Sequence, residues 1–347
     1  MTTRPSPIRP RRRTALAVAA VVLLVGVVAG CSDDGGDGEA APDQGLEKMT
    51  VVLEWSPNTN HSGVYLAQAE GWYADAGLDV EIIEPGDAGS LQILGSGRAD
   101  VAFTVQEELV PARAEGVPVV ALAAVIEHNT SSLLSLAEDG IATPADLAGQ
   151  DYGGFGGQLE TALIEKMVEC DGGDPSEVGF ADVGEADYRL GLTRDQYDAV
   201  WIFDAWDGIR LGDIEGLDTQ TIPFIDYQEC IPDWYTPMIA SSETVMEERP
   251  DDLQAFMDAT ARGYREAMAD PEASADALLE AVPELDPDLV AQSSEYLSTR
   301  YSEDPAAWGQ MDQGRWTEFV DFLVEAGLIE EAIDVDAAYT NQFLKET

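Results

Sequence analysis

Short apolar runs alternate with amphipathic stretches from residue 49 onward. Apolar runs of strand length stand at residues 49–53, 78–83, 100–104 and 118–125, and helical periodicity fills residues 63–76, 88–95 and 106–115. The second run alternates apolar and polar residues as a half-buried strand does, whereas the fourth is apolar throughout. Repeated strand-helix-strand units of this length predict a parallel sheet with helices on both faces.

A second series begins at Thr143, because a threonine before a proline is a typical helix start. Strands are predicted near residues 152–155, 178–181, 198–203 and 219–222, with helices at 158–169, 185–192 and 206–211. Residues 238–240 return to the first sheet, and the remaining chain is helical, with prolines at helix ends. We therefore predict an α/β fold of two lobes with a ligand cleft between them. Lobe 1 comprises residues 49–142 and 237–347, including the C-terminal helices, and lobe 2 comprises residues 143–236.

The first thirty residues have the order of a secretory signal peptide. Five arginines precede the small and apolar run 15–30, which ends in Val-Ala-Gly before Cys31. We interpret residues 1–30 as a signal peptide and Cys31 as a lipidation site, because the apolar run is shorter than the roughly 20 residues of a membrane-spanning helix. The arginines leave twin-arginine export open beside the general secretory route. Residues 31–48, rich in Gly, Asp and Pro, are predicted to be a flexible tether.

The charge of the chain excludes a nucleic-acid-binding protein. The segment before Cys31 holds five of the 18 basic residues and none of the 67 acidic ones, so the remaining chain carries a net charge of −54. Such a field repels nucleic acid and anionic lipid, and it is typical of a soluble, exported surface. Cys170 and Cys230 are able to pair in an oxidising compartment, but no CxxC or metal-ligand spacing is present, and no metal site is predicted.

Five loops occupy the position where open α/β sheets bind their ligands, beyond the carboxyl ends of strands. The candidate ligand-binding residues in these loops are Glu54, Trp55, Asn58, His61, Gln106, Glu107, Gly154, Phe155, Gly156, Glu160, Trp201, Asp204, Trp206, Asp207 and Tyr235. Aromatic side chains supply flat apolar faces, carboxylates and amides hydrogen-bond a polar ring edge, and glycines let backbone N–H groups converge.

Several candidates also have a structural interpretation. Asn58 and His61 suit a turn and a helix start. Gln106 and Glu107 suit the first turn of a helix, where the helix dipole favours carboxylates. Tyr235 equally suits bracing of the chain crossing between the lobes. The five loops together, rather than any single residue, indicate a binding site.

The second series leaves similar alternatives open. Trp201 suits core packing as well as stacking, and the glycine loop at residues 153–157 lacks the lysine of a nucleotide P-loop. His128 follows a predicted strand and is either a cleft residue or an ordinary loop residue.

Four segments together resemble a known family. WSPNTNHSGVYLAQAEGWYADAGLDVEII, YGGFGGQLETAL, WIFDAWDGI and PDWYTPMIASSE are similar to bacterial solute-binding proteins related to the thiamin-pyrimidine synthases of fungi, and the likeness spans roughly residues 49–270. The resemblance implies a periplasmic binding protein of type II. It also implies a lipoprotein of an ABC importer that captures formylaminopyrimidine, or riboflavin in near relatives. In that framework Trp55 lies against a heteroaromatic ring, residues 153–157 lie at its polar edge, and residues 201–207 close over it.

The chain departs from the fungal enzymes in two respects. Those relatives use pyridoxal phosphate and an active-site histidine as substrates and carry a cysteine-rich motif, whereas the three lysines here, Lys48, Lys166 and Lys345, lie outside the cleft loops. We therefore predict a monomeric, non-enzymatic component of an ABC importer without a cofactor. It is predicted to bind a thiamin pyrimidine precursor and to meet permease subunits, on the extracytoplasmic face of the cell membrane. Riboflavin binding, a pyridoxal-phosphate-consuming synthase and a surface adhesion protein are the alternatives.

Overall fold

The computed structural model describes residues 45–184 and 187–345. The predicted signal peptide, the predicted lipidation site Cys31 and most of the predicted tether lie outside the described residues. Within the described ranges, no helix is both long and apolar enough to cross a membrane.

Ten strands and twelve α-helices form in the described residues. The strands are β1 (Glu47–Val52), β2 (Leu78–Ile83), β3 (Val101–Thr104), β4 (Val119–Ala124), β5 (Ser131–Leu136), β6 (Asp151–Gly154), β7 (Gly179–Asp182), β8 (Ala199–Phe203), β9 (Thr219–Pro223) and β10 (Met238–Ser242). The helices are α1 (Ser62–Ala69), α2 (Trp72–Asp75), α3 (Ser90–Gly95), α4 (Gln106–Ala114), α5 (Gln158–Cys170), α6 (Tyr188–Thr193), α7 (Glu243–Glu248), α8 (Pro250–Ala269), α9 (Pro271–Ala281), α10 (Pro287–Ser298), α11 (Gln313–Glu325) and α12 (Val335–Ala338).

The first sheet has the strand order β2-β1-β3-β10-β4. β1 pairs in parallel with β2 and β3, and β10 is antiparallel to both β3 and β4. β3 and β4 are buried along their whole length, which agrees with apolar runs that helices cover on both faces. β10 returns to this sheet as the sequence predicts.

The second sheet has the order β7-β6-β8-β5-β9. β6 is parallel to β7 and β8, and β5 is antiparallel to β8 and β9. This sheet begins with β5 at Ser131, before the boundary predicted at residue 143, so β5 belongs with the second group of strands. The serines of this strand weaken its apolar signal, yet every residue of β5 is buried because it pairs on both sides.

Two chain crossings bring together the edges of the sheets that carry the candidate loops. Residues 125–130 link β4 to β5, and residues 224–237 link β9 to β10. β1, β3 and β4 end at one edge of the first sheet, and β6, β7 and β8 end at the edge of the second sheet where β5 begins. A stretch of six residues spans roughly 20 Å at most, so the first crossing holds these two edges near each other.

A close contact between glycines positions α1, which directly follows the loop after β1. A Cβ atom on Gly263 of α8 would lie 2.0 Å from the carbonyl oxygen of Gly63, and one on Gly63 would lie 2.2 Å from the Tyr264 ring. Two helix backbones therefore touch at this point, where a side chain has no room. Tyr264 also donates a hydrogen bond to the Asn60 carbonyl at 2.6 Å, which fixes the end of the loop.

The segment after β8 differs from its prediction. In place of a short helix at residues 206–211, the chain forms two π-helical turns at Asp204–Gly208 and Arg210–Ile214. Wide turns of this kind often occur at functional sites. The start of the helix predicted at residues 185–192 lies outside the described residues, and α6 spans Tyr188–Thr193.

A disulfide joins Cys170 at the end of α5 to Cys230 in the second crossing, with an S–S distance of 2.02 Å. The bridge links two positions that are 60 residues apart in the sequence. Both cysteines lie within the residues predicted for lobe 2.

Candidate ligand-binding site

The loop after β1 holds a histidine in a fixed orientation. His61 is fully buried, its Nδ1 accepts the Asn58 backbone N–H at 3.1 Å, and its Nε2 lies 2.7 Å from Glu54 Oε2. Because Nδ1 is an acceptor, Nε2 carries the hydrogen and donates it to the Glu54 carboxylate. The Asn58 side chain accepts the Asn60 N–H at 2.8 Å. The histidine and asparagine therefore have the structural roles that the sequence left open, and His61 orients Glu54.

Trp55 remains exposed beside this buried network. Five large apolar side chains of the described residues are exposed, namely Leu46, Trp55, Phe155, Phe180 and Leu190. Trp55 is 49% exposed and follows the carboxyl end of β1, and Phe155 is 58% exposed and follows the carboxyl end of β6. Each sheet thus presents an exposed aromatic ring at the edge that carries the candidate loops, and such a ring offers a flat face for stacking.

The residues after β3 bind the second crossing. Gln106 is fully buried, and its Oε1 accepts the Tyr235 N–H at 2.8 Å. Glu107 accepts a hydrogen bond from Trp234 Nε1 at 3.0 Å and one from Thr236 Oγ1 at 3.4 Å. Burial of the Glu107 carboxyl raises its pKa to about 8. These two predicted ligand residues therefore attach the first sheet to the crossing.

The glycine loop of the second sheet is occupied by a carboxylate of the same chain. Glu160 Oε2 accepts the backbone N–H groups of Phe155 at 2.9 Å and Gly157 at 3.1 Å, and Glu160 Oε1 accepts the Tyr152 hydroxyl at 2.9 Å. Two of the N–H groups expected to face a ligand thus already have a partner. Gly154 and Gly156 shape this loop, and Gly156 has the positive φ of 72° that favours glycine.

Asp204 and Asp207 follow β8 and have different surroundings. The Asp204 carboxylate lies 3.4 Å from the Tyr296 hydroxyl of α10, and burial raises its pKa. Asp207 pairs at 2.9 Å with Arg210 of the following turn, so an arginine balances the charge of its carboxylate. Trp206 packs against the apolar core of the first sheet, and it brings the second sheet into contact with that core.

Trp201 and Tyr235 also pack into the interior. The Trp201 ring contacts Phe224 and Trp234, with ring centroids 5.0 and 6.0 Å apart. Tyr235 is 2% exposed, and its hydroxyl accepts the Asp312 N–H at 2.8 Å. Both residues therefore brace the interior and the crossing, in agreement with their structural interpretations.

Several buried polar atoms at the same edges have no hydrogen-bond partner among the described residues. They include Thr104 Oγ1 at the end of β3, Gln106 Nε2, Asn129 Nδ2 in the first crossing and Ser131 Oγ at the start of β5. Buried polar groups normally form hydrogen bonds, so these unpartnered atoms near the strand ends indicate a ligand or ordered water. Sequence reasoning missed Thr104, Asn129 and Ser131, and the only signal was their position next to strand ends.

A surface depression of about 620 Å³ lies away from this site, between the C-terminal end of α4 and residues 328–334. α4 begins at the edge of the first sheet where β3 ends and runs back to the start of β4, so its C-terminal end is remote from Trp55. The depression has none of the candidate residues in its lining.

A model of the family described as NMT1/THI5 like matches residues 58–274. The chain belongs to the NMT1/THI5-like family. This finding confirms the resemblance that the four sequence segments carry. The matched range begins at Asn58 in the loop after β1 and includes β2 to β10 and both crossings.

Two relatives illustrate the range of proteins to which this NMT1/THI5-like chain is similar. A formylaminopyrimidine-binding protein of Halalkalibacterium halodurans is 27% identical over 334 residues, which cover 93% of this chain and 98% of the relative. A 4-amino-5-hydroxymethyl-2-methylpyrimidine phosphate synthase of Legionella pneumophila is 24% identical over 314 residues, which cover 86% and 93% of the two chains.

Solved structures confirm the fold. The ligand-binding component of an ABC-type import system from Staphylococcus aureus superposes with a TM-score of 0.65 at 15% identity and covers 87% of this chain and 99% of its own. A Candida albicans protein with the generic periplasmic binding protein fold gives 0.62 at 14% identity, with 86% and 98% covered. The predicted periplasmic-binding-protein architecture is therefore correct.

Proposed function

We propose that this protein is the extracytoplasmic substrate-binding component of an ABC importer and that it captures a thiamin pyrimidine precursor such as formylaminopyrimidine. The observation that carries the proposal is that an exposed aromatic ring, Trp55, directly follows Glu54, whose carboxylate His61 holds in place. A planar aminopyrimidine offers a face for stacking and an N–H edge for a carboxylate acceptor. The near full-length similarity to a formylaminopyrimidine-binding protein supports the same ligand.

The two sheets are proposed to act as two lobes that close on the ligand. Phe155 supplies the aromatic ring of the second lobe, and Asp204 and Trp206 lie where that lobe contacts α10 and the first core. Binding energy then favours the closed arrangement over the open one. The open hydrogen-bonding atoms of Thr104, Asn129 and Ser131 gain partners in the closed complex.

A binding role is proposed rather than the synthase activity named for some relatives. A Schiff base with pyridoxal phosphate needs a lysine at the site. Lys48 lies in the amino-terminal half of β1, away from the carboxyl end, and Lys166 is exposed on α5. Lys345 pairs with Asp258 of α8. The three lysines of the chain therefore have positions that do not serve such chemistry.

The deciding experiment measures binding to the purified full chain in detergent. Formylaminopyrimidine, riboflavin and pyridoxal phosphate are compared by thermal shift and calorimetric titration. We expect formylaminopyrimidine to raise the melting temperature and to bind with a stoichiometry of one. Tight binding of riboflavin alone would assign the flavin alternative, and an imine absorbance with pyridoxal phosphate would assign the enzyme. No response to any of the three would overturn the proposal.

Attachment to the membrane is proposed to use a lipid on Cys31, after removal of residues 1–30. The basic segment, the apolar run and the small residues before this cysteine support it. In a homologous bacterial host, Cys31→Ala should move the protein from the membrane fraction to a soluble extracytoplasmic fraction. Retention of the variant in the membrane fraction would contradict lipid anchoring.

A further inference from the structure

The Glu160 carboxylate occupies the place where the glycine loop would otherwise accept an anion. Loops that follow a strand and open a helix bind phosphate and similar groups, because their backbone N–H groups converge and the helix dipole adds positive potential. Here α5 has 13 residues and begins at this loop, and Glu160 takes the N–H groups of Phe155 and Gly157. The anion in this loop is thus part of the chain.

The contacts of Glu160 exceed those of an ordinary helix cap. A capping glutamate accepts the N–H of the N-cap residue, which here is Gly157. Glu160 also binds the Phe155 N–H, two residues before the cap, and the hydroxyl of buried Tyr152. A Cβ atom on Gly154 would lie 2.7 Å from Glu160 Oε1, so glycine at this position is what admits the carboxylate.

The surroundings of the loop add negative charge. Asp182 ends β7 beside the loop, since a Cβ atom on Gly156 would lie 3.2 Å from its Cγ atom. The described ion pairs of Arg189 on α6 and Arg210 after β8 are made with Asp207 and Glu215 and not with Glu160. An incoming anion at this loop would therefore meet two carboxylates in a chain that is strongly acidic overall.

Two further observations place the glycine loop at the proposed binding edge. Phe155, between the two N–H groups bound by Glu160, is 58% exposed. The buried Ser131 hydroxyl at the start of β5, on the same edge of the second sheet, has no partner among the described residues. An exposed ring and an unpartnered buried hydroxyl thus lie at the same edge of the second sheet as the loop.

We propose that Glu160 is a specificity-determining residue that restricts the site to neutral or cationic heterocycles and excludes phosphorylated ones. The inference rests on the proposed function, because it names the charge class of the ligand at that same site. A monophosphate carried on the pyrimidine must either displace Glu160 from its two N–H groups or lie against its charge. The unphosphorylated alcohol or amide does neither.

The test compares two probes on the full chain, 4-amino-5-hydroxymethyl-2-methylpyrimidine and its monophosphate, by calorimetric titration. The wild-type protein should bind the monophosphate at least about tenfold more weakly than the alcohol. Glu160→Gln retains an oxygen acceptor and removes the charge, so the ratio should shift toward the monophosphate by about tenfold. Equal affinities for the two probes in the wild type, or an unchanged ratio in the variant, would overturn the inference.

A second measurement is independent of any pyrimidine. Glu160→Ala empties the loop, so inorganic phosphate should raise the melting temperature of this variant but not that of the wild type. Asp146→Ala is the matched control, because Asp146 likewise accepts two backbone N–H groups, those of Ala142 at 3.0 Å and Thr143 at 2.9 Å. This control should show no phosphate response. Absence of a response in Glu160→Ala would overturn the inference even if pyrimidine binding were established, and its presence would support it if pyrimidine binding failed.

Discussion

His128 Nδ1 lies 2.8 Å from Asp233 Oδ2 and so joins the two chain crossings that connect the sheets. Asp233 also accepts the Asn129 N–H at 3.0 Å and pairs with Arg315 of α11 at 3.3 Å. The Arg315 guanidinium further donates to the Glu127 carbonyl. The charged groups facing the imidazole are thus Asp233, Arg315 and Glu127, and the hydrogen bond to Asp233 raises the pKa of this histidine between the two crossings.

The first prediction concerns the protonation of His128. The hydrogen bond to Asp233 raises the pKa of His128 above its ordinary value of about 6.5, although Arg315 opposes it. The chain has two histidines, so proton NMR resolves the titration, and His128→Gln identifies the signal. Asp233→Asn should lower the observed pKa. A midpoint that does not move in this variant would show that the hydrogen bond is not formed in solution.

The sign of the stability effect follows from the raised pKa. The contribution of His128 to the free energy of unfolding is fully present below about pH 6.5 and is lost as the pH rises through the folded-state pKa. The melting temperature of the wild type should therefore exceed that of His128→Gln by more at pH 6 than at pH 9.

The second prediction concerns Glu107, whose burial raises its pKa to about 8. A carboxyl group with a raised folded-state pKa stabilises the fold fully below its unfolded pKa of about 4.3, and the contribution is lost as the pH rises through the folded value. Glu107→Gln keeps an oxygen for Trp234 Nε1 and cannot ionise. Its free energy of unfolding should rise relative to the wild type between pH 5 and pH 9 by roughly 4 kcal/mol, because the wild type loses a little over 1 kcal/mol for each pH unit up to the folded-state pKa.

Denaturant unfolding at several pH values measures this difference. Glu115→Gln, at the exposed end of α4, is the control for removal of a negative charge from the same helix. Parallel pH profiles of wild type and Glu107→Gln would contradict a buried, protonated carboxyl group.

The sequence predicts the local parts of this fold well, because period and turn chemistry are local properties. Strand-helix units, the return of β10 and the helix start at Thr143 all follow from neighbouring residues. β5 is missed because three serines interrupt its apolar run, and it is buried by its pairing with β8 and β9, which lie far along the chain. Its burial is a tertiary effect that no local window contains.

In the candidate site, too, local interactions are predictable from the sequence and long-range ones are not. Asn58 and His61 are three residues apart, and their capping interaction is open to sequence reasoning. Gln106 and Tyr235 are 129 residues apart, so their hydrogen bond and the structural role of Gln106 depend on the assembled crossings. The open polar atoms of Asn129 and Ser131 likewise become visible only when the surrounding partners are in place.

The third prediction concerns the disulfide. A cross-link between Cys170 and Cys230, 60 residues apart, reduces the conformational entropy of the unfolded chain. The double substitution Cys170→Ser and Cys230→Ser should lower the free energy of unfolding by about 2–4 kcal/mol. Denaturant unfolding of the wild type with and without reductant is the matched comparison. Equal stability under the two conditions would show that the bridge does not contribute.

The fourth prediction concerns the helix contact that positions α1. Gly263→Ala places a methyl group 2.0 Å from the Gly63 carbonyl oxygen, so α1 and α8 must separate. Overpacking of this kind costs about 1–3 kcal/mol, and it shifts the loop that carries Trp55. Gly95→Ala in α3 is the control, since its methyl group would lie at an ordinary 3.5 Å from Val117. Equal melting temperatures of the two variants would contradict the close backbone contact.

The fifth prediction tests Trp55 as the stacking surface of the proposed ligand site. Trp55 and Leu46 are both 49% exposed, and they lie near opposite ends of β1. Trp55→Ala should weaken binding of formylaminopyrimidine by about tenfold or more, because stacking and apolar burial are lost, while Leu46→Ala should leave the affinity unchanged. Both substitutions remove an equally exposed apolar side chain, so a difference between them reports the ligand contact and not general surface polarity. Calorimetric titration of the two variants decides the matter, and equal affinities would place the ligand away from the carboxyl end of β1.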